Sequence, residues 1–374
     1  MESMKLACIR LALNLVHQLG QDKETENIFI SPHSISTAMS MVLLGSRNDS
    51  QQQLLKNFFP GVSENDVHKA NGEIHKALIA AKDGVTLDVA SSMFPESTYS
   101  ILQEFSAQMS DHYKVQVQLM DYKQNAEESR KKINAWVESK TNEKIKDLLV
   151  SGTLTPRTKL VIANAVYFKG NWAKKFDSQL TTDDDFHLNT SDNKKVKMMK
   201  KKAKFPFYMD KEMKAVELDY DGDQVSMIVI LPNEFLGLKS ILSNLTPEKM
   251  ELMAKEFTSN EDIVVKMPKL KIEYDADLVE SFQALGVTDI FDEKRADLSG
   301  ISGVADLYVT KVAHKAFIEI NEEGTEAAAA TAVVMMRRMA FLPPMEFVCN
   351  QPFLFIIKHK PSGVPLFLGK VCTV

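Results

Sequence analysis

The sequence predicts one large domain of the α+β class, with helices concentrated in the first half and antiparallel or mixed sheets in the second. Three observations predict it. The 374 residues are 44% hydrophobic and 25% charged, the balance of a globular chain able to bury a large core. Apolar residues recur at helical spacing before residue 150 and in strand-like runs from Leu160 onward. No internal repeat, Gly/Ser linker or compositional break divides the chain.

At the amino terminus, Leu6, Ile9, Leu13 and Val16 repeat at helical spacing and Arg10 interrupts the run, so the segment reads as a helix packed on a core rather than a leader. No apolar run approaches the ~18 residues a membrane-spanning helix needs. Ser31 followed by Pro32 is an N-cap with proline at the first helical position; Ile35, Ala38, Met39, Val42 and Leu43 follow, and Gly45 closes a buried helix. Residues 125–149 read as a surface helix with a narrow stripe of Ile133, Val137, Ile145 and Leu148. Strands are expected at 160–168, 215–220, 225–231, 263–272, 309–320, 353–357 and 366–371. Tyr220, Asp221, Gly222 and Asp223 join two of them as a hairpin.

Forty-five Lys and Arg against 50 Asp and Glu give a net charge of −5, which argues against nucleic acid as a partner. Cys8, Cys349 and Cys372 cannot all pair within one chain and show no zinc spacing. There is no GxSxG elbow, Walker A loop, GxGxxG or HExxH, and the eight histidines are scattered, so neither cofactor nor metal is indicated. A hydrolase would need a triad assembled from distant segments.

The informative segment is 321–344: Asn-Glu-Glu-Gly-Thr-Glu, four alanines, Thr-Ala-Val-Val-Met-Met, Arg337-Arg338, then Met-Ala-Phe-Leu-Pro-Pro. Taken alone it fits a helix, because alanine is the best helix former, or a strand of alternating small residues. Together with other motifs it resembles the hinge and reactive loop of a serpin. Asn27 to Gly45 is similar to that family's Asn-x-Phe-x-Ser-Pro-x-Ser-Ile helix start. Further matches are Asn164-Ala165 with Tyr167 to Gly170 and Trp172, Leu285 to Asp289, Ala296 to Gly300, His314 to Ala316, Pro352 to Phe355, and Phe367 to Val371. They run in the family's order along almost the whole chain. Two departures are Gln351, where His usually precedes Pro-Phe, and Cys372 after Gly-Lys-Val.

The resemblance implies a serpin-type domain over 1–374 with three sheets, eight or nine helices and an exposed loop. It implies no catalysis, but a suicide inhibitor: a protease attacks the loop, and the acylated loop inserts as a strand in the main sheet. The hinge falls on Gly324, Thr325, Glu326, Ala327, Ala328, Ala329, Ala330 and Thr331. Counting forward from Gly324 by the interval usual in that family, the resemblance implies a scissile bond at Arg338-Met339, with Arg337 as the secondary site, and so a trypsin-like serine protease held in a covalent complex. Ser31, Ser34, Asn164 and His314 fall on the family's hydrogen-bonded shutter beneath the sheet; read without the family, Ser31 is a helix cap and the others are satisfied core groups.

Lys194, Lys195, Lys197, Lys200, Lys201, Lys202 and Lys204 form a dense run, read first as a solvated strand edge and second as a polyanion site for a sulfated glycosaminoglycan. Sequons at Asn48, Asn189 and Asn244 are candidate N-glycosylation sites. The expectation is a monomeric secreted inhibitor, with a cytoplasmic one as the alternative. A non-inhibitory carrier, chaperone or storage serpin stands as the alternative function.

Overall fold

The computed structural model describes residues 1–21, 23–80, 84–258, 262–324 and 345–374. The chain opens with α1 (Glu2–Leu19), β1 (Ile28–Ile30), α2 (Pro32–Gly45), α3 (Asn48–Phe58), α4 (Glu64–Ala80), β2 (Val85–Pro95), α5 (Gln103–Gln108) and α6 (Tyr122–Lys140). It continues with β3 (Leu160–Gly170), β4 (Thr182–His187), β5 (Asn193–Lys204), β6 (Phe207–Met209), β7 (Met213–Asp219), β8 (Val225–Pro232), α7 (Leu238–Asn244) and α8 (Pro247–Glu256). The last elements are β9 (Asp262–Pro268), β10 (Leu270–Asp277), α9 (Val279–Ala284), α10 (Ser299–Ser302), β11 (Lys311–Ile320), β12 (Met345–Val348), β13 (Phe353–His359) and β14 (Pro365–Val371).

Three sheets result: β1-β14-β13-β8-β7-β6, β10-β11-β3-β2 and β12-β9-β5-β4. The first is covered on both faces, which is why β8, β13 and β14 read as nearly continuous apolar runs. Along β13 the side chains alternate: Leu354 and Ile356 join the core built with α1 and α2, while Phe353, Phe355 and Ile357 join the core shared with β3 and β9. The chain termini close on each other. The Asn27 side chain accepts from the Cys372 and Thr373 amides at 2.7 and 3.0 Å and donates to the Thr373 carbonyl at 2.7 Å. Asn27→Ala strands those groups and should cost about 2 kcal/mol. The urea midpoint should fall at unchanged slope; a midpoint equal to the parent's would refute this anchoring role.

Most expected elements are present. The amino-terminal helix buries Met4, Cys8, Leu11 and Leu15, and Ser31 caps α2 through its Oγ, which accepts from the Ser34 amide at 3.4 Å. The expected hairpin joins β7 to β8, with Gly222 and Asp223 both at positive φ.

Several expectations need correction. The helix expected over 125–149 stops at Lys140, because Asn142, Glu143 and Asp147 adopt positive φ; Ile145 and Leu148 are nonetheless buried beside Ile133 and Val137. The single strand expected at 263–272 is two strands in different sheets, β9 and β10. The first half is less purely helical than its periodicity indicates, since β2 occupies eleven residues of it. Ten α-helices are present among the described residues, the excess over eight or nine coming from short pieces such as α10. The lysine run is β5, an inner strand rather than an edge, with Val196, Met198 and Met199 buried.

Candidate functional site: a strand seam and its hinge

Within the sheet β10-β11-β3-β2, the outer pairings are antiparallel, but β11 and β3 run parallel, with Lys311 opposite Val161 through Ile318 opposite Phe168. Past Ile320 the chain turns: the Asn321 amide donates to the Gly324 carbonyl at 2.7 Å, and Gly324 makes an antiparallel bridge with Asn171 just beyond β3. Gly324 therefore sits at the head of the seam, bridged antiparallel to the residue that follows β3. A strand continuing that way between β3 and β11 would be antiparallel to both, replacing one parallel pairing with two antiparallel ones.

Asn164 and His314 face each other across this seam. Ring Nδ1 of His314 lies 2.7 Å from Asn164 Oδ1, and its Nε2 accepts from the Ser31 amide at 3.3 Å. That pair of partners fixes a neutral imidazole protonated at Nδ1. Asn164 Nδ2 donates to Ser34 Oγ at 2.6 Å, to the Ser34 carbonyl at 3.1 Å and to Ser91 Oγ at 3.2 Å. Ser31 Oγ donates to the Leu366 carbonyl at 2.7 Å. All four residues named from the sequence thus meet in one buried network joining β2, β3, β11, β14 and the start of α2. Ser91, which the sequence reading missed, completes it; one of two adjacent serines in a mixed polar and apolar strand carries no signal of its own.

Burial pushes the His314 pKa down to about 3. In the unfolded chain it titrates near ~6.5, so below that pH the unfolded state binds the extra proton. The stability this neutral histidine contributes is complete above ~6.5 and is lost as pH falls toward 3, at up to about 1.4 kcal/mol per pH unit. His68 and His359, also lowered by burial, slope the same way. The comparison is therefore between the parent and His314→Gln: the urea midpoint of the variant should vary less between pH 7 and pH 5. Parallel profiles would remove His314 from the titration.

The head of the seam is pinned by 321–324. The Trp172 and Phe176 amides donate to the carbonyls of Glu323 and Glu322, both at 2.8 Å, and Trp172 Nε1 donates to the Asn321 carbonyl at 3.0 Å. The indole stacks on Tyr220 with ring centroids 4.5 Å apart. Glu323 pairs with Lys175 at 2.5 Å and Glu322 with Lys269 at 2.9 Å; Thr181 Oγ1 also donates to Glu322 at 2.8 Å. Burial works to raise the Glu322 carboxyl, but Lys269 and Thr181 outweigh it and hold the pKa below the usual value. Gly324 has φ +132°, and a Cβ there would lie 2.1 Å from the Gly170 carbonyl oxygen, so only glycine fits this close approach. The sequence reading named Gly324 as part of the hinge and matched Trp172 to the family, but assigned no anchoring role to Trp172, Lys175 or Lys269.

The other hinge residues, Thr325 to Thr331, and the bond Arg338-Met339 with Arg337 lie outside the described residues. On β5, Lys195 and Lys197 pair with Asp185 and Asp183 of β4 at 3.0 and 2.9 Å, and Lys202 lies 3.9 Å from Asp262. Lys201 donates to the Lys175 carbonyl, while Lys194, Lys200 and Lys204 are exposed. Asn48 is tied to Asp297 at 2.6 Å, Asn189 is folded into a turn onto Asp192, and Asn244 is exposed at the end of α7. The three cysteines are buried free thiols. No group of three or more metal-ligating side chains exists among the described residues, nor any helix there long and apolar enough to cross a membrane.

A family model described as Serpin (serine protease inhibitor) matches residues 7–374. Leukocyte elastase inhibitor A of Rattus norvegicus is 42% identical, covering 100% of both chains. Leukocyte elastase inhibitor and serpin B3 of Homo sapiens are 41% and 40% identical over 99% of each chain. Among solved structures, uncleaved ovalbumin superposes with a TM-score of 0.89 at 29% identity, covering 99% of this chain and 100% of that one. Serpin48 of the insect Tenebrio molitor gives 0.89 at 28% identity, covering 100% and 98%.

Proposed function

The chain belongs to the serpin family of serine protease inhibitors, and from that premise we propose that it traps arginine-specific, trypsin-like proteases by inserting its cleaved loop between β3 and β11. The observation that carries this reading is the seam. The four-stranded sheet β10-β11-β3-β2 keeps β3 and β11 in direct parallel contact, and Gly324 starts the loop at the head of that contact. Asn164 and His314 then form the clasp that insertion must open, with Ser31, Ser34 and Ser91 as its supports. Arg338 would occupy the protease's primary pocket, whose acidic floor selects arginine.

The relatives' names favour a second target class. Elastase has a small primary pocket, and the loop offers Val333, Val334 and Ala340 near the arginines. Incubating the protein with trypsin and with elastase, followed by a denaturing gel and mass analysis of the released peptide, separates the two. A trypsin complex with cleavage after Arg338 supports the primary reading. A complex with elastase alone transfers the function to the second, and cleavage without any complex favours a non-inhibitory serpin.

The partner in this reading is a serine protease in covalent complex with a monomeric inhibitor. A sulfated glycosaminoglycan on the lysine strand loses weight, because carboxylates of β4 already neutralise Lys195 and Lys197. The comparisons lend no support to secretion or glycosylation. Three buried thiols without a disulfide suit a reducing compartment, so the cytoplasmic alternative is preferred.

A further inference from the structure

A buried histidine joins α4 to the π-helical turn Met109–Tyr113, and we infer that this junction is an acid-operated latch: protonation of His68 releases α4 from the turn while the rest of the fold stays closed. His68, on α4, is only 4% exposed. Its Nδ1 lies 2.5 Å from the Tyr113 hydroxyl, and its Nε2 is buried without a hydrogen-bond partner. The turn is irregular on both counts that mark such places: it is π-helical, and Lys114 ends it at φ +57°. π-helical turns recur where a protein needs a local departure from helix geometry, often at functional sites.

The groups that face this imidazole decide which protonation state fits. On α4 itself, the Glu64 carboxylate stands 3.8 Å from Nε2, too far for a hydrogen bond. The turn presents Tyr113 and His112, whose ring centroid is 5.6 Å from that of His68; Asp111 and Lys114 of the same segment are exposed and lie 3.9 Å from each other. From α2 comes Ser40, which carries no charge, and the one histidine of that helix, His33, lies about two turns away. A neutral imidazole suits these surroundings. A cation would sit desolvated beside a second histidine, with its one carboxylate out of hydrogen-bond reach. The remaining ties between α4 and α2 are neutral: Asn71 donates to Ser40 Oγ at 2.8 Å and accepts from Thr37 at 3.1 Å. Acid leaves those bonds alone, so the pH dependence of the junction belongs to His68.

The sign and size of the effect follow by linkage. Burial, and then the neighbouring His112, lower the His68 pKa to about 4, whereas an imidazole released from the turn titrates near ~6.5. The open form therefore binds a proton that the closed form does not, and opening becomes more favourable as pH falls from ~6.5 toward 4. Between pH 7 and pH 5 those two values give about a twentyfold rise in the open population. His314 weakens the whole fold over the same range, but its effect reaches amides that exchange only by global unfolding. Release of one surface helix reaches its own amides first.

Native-state hydrogen exchange of the intact, uncut chain tests the latch without a target protease, and so independently of how the loop works. After correction for intrinsic exchange rates, the opening constant of peptides from α4 should rise about twentyfold between pH 7 and pH 5, while peptides from β13 stay protected. His68→Gln keeps a polar side chain without the titration and should flatten the α4 profile to less than about threefold; His314→Gln should leave the α4 rise intact. Should His68→Gln not fold, His112→Gln on the half-buried turn is the second variant: with the neighbouring imidazole gone, the rise should be smaller than the parent's. An α4 profile that is flat in the parent, that rises in step with β13, or that stays undiminished in His68→Gln or, where that variant does not fold, in His112→Gln would each overturn the assignment.

Discussion

Arg338→Ala is expected to slow inhibition of trypsin-like proteases by about a thousandfold and to leave the melting temperature unchanged. An arginine side chain in an acidic pocket is a desolvated, hydrogen-bonded charge pair; truncating one partner leaves the other carboxylate unpaired and costs about 4 kcal/mol, or ~10³ in rate. On the inhibitor reading Arg338 is a loop residue presented to the protease, and substitutions of that kind change stability by no more than about 0.5 kcal/mol. Rates of complex formation under pseudo-first-order conditions, for the parent, Arg338→Ala and Arg337→Ala, give the answer. If Arg337→Ala carries the large loss instead, the scissile bond moves one residue back. If neither variant changes the rate, while both still trap elastase, arginine specificity is wrong and the neighbouring small residues set the target.

The parts of the fold legible in sequence are those with a strong local cause. Ser31-Pro32 starts a helix because the cap and the fixed proline φ act within one turn, and Asp221-Gly222-Asp223 makes a hairpin because only such residues accept its dihedrals. The strands β8, β13 and β14 announced themselves by apolar runs. What stayed hidden depends on distant partners. β2 opens with Val-Thr-Leu-Asp-Val and lacks a continuous apolar run, because only its second half is fully buried. β5 looked like a charged edge because most of its lysines face solvent, while Val196, Met198 and Met199 are buried in the core. The region after Lys140 kept helical spacing of its buried residues although its backbone had left the helix, so periodicity alone could not find the end. At the site, Ser31, Ser34, Asn164 and His314 were identified by resemblance and are brought together by the seam. Trp172 was matched to the family without a role, and Ser91, Lys175 and Lys269 were not named, since their roles arise only from contacts between distant segments.

Cleaving the loop near Arg338 with a protease that escapes is expected to raise the melting temperature by tens of degrees, and the register of the seam says why. Gly324 opposes Asn171, and continuing that antiparallel count places residues 325–335 against the whole of β3, from Gly170 back to Leu160. A strand of that length adds a ladder on both sides and buries its inward side chains. At about 1 kcal/mol per net hydrogen bond, the gain is on the order of 10 kcal/mol, and ~2 °C or more per kcal/mol gives about 20 °C. On the insertion reading, the uncut state persists as a kinetic trap because a loop tethered at both ends is slow to enter the sheet. The same count sets Thr331 opposite Asn164, on the face where Asn164 meets Ser34. Inserted there, it would come between Asn164 and His314 and take over part of their hydrogen bonding. Thr331→Arg would instead place an unpaired charge in that buried network, at a cost of several kcal/mol, and insertion should lose the race against deacylation. The parent should then yield mostly covalent complex with trypsin, and the variant mostly cleaved loop and free enzyme, with ratios differing at least tenfold. Equal ratios, or a cleaved parent that melts where the uncut one does, would mean that the seam between β3 and β11 never opens, and the non-inhibitory reading would replace the one proposed.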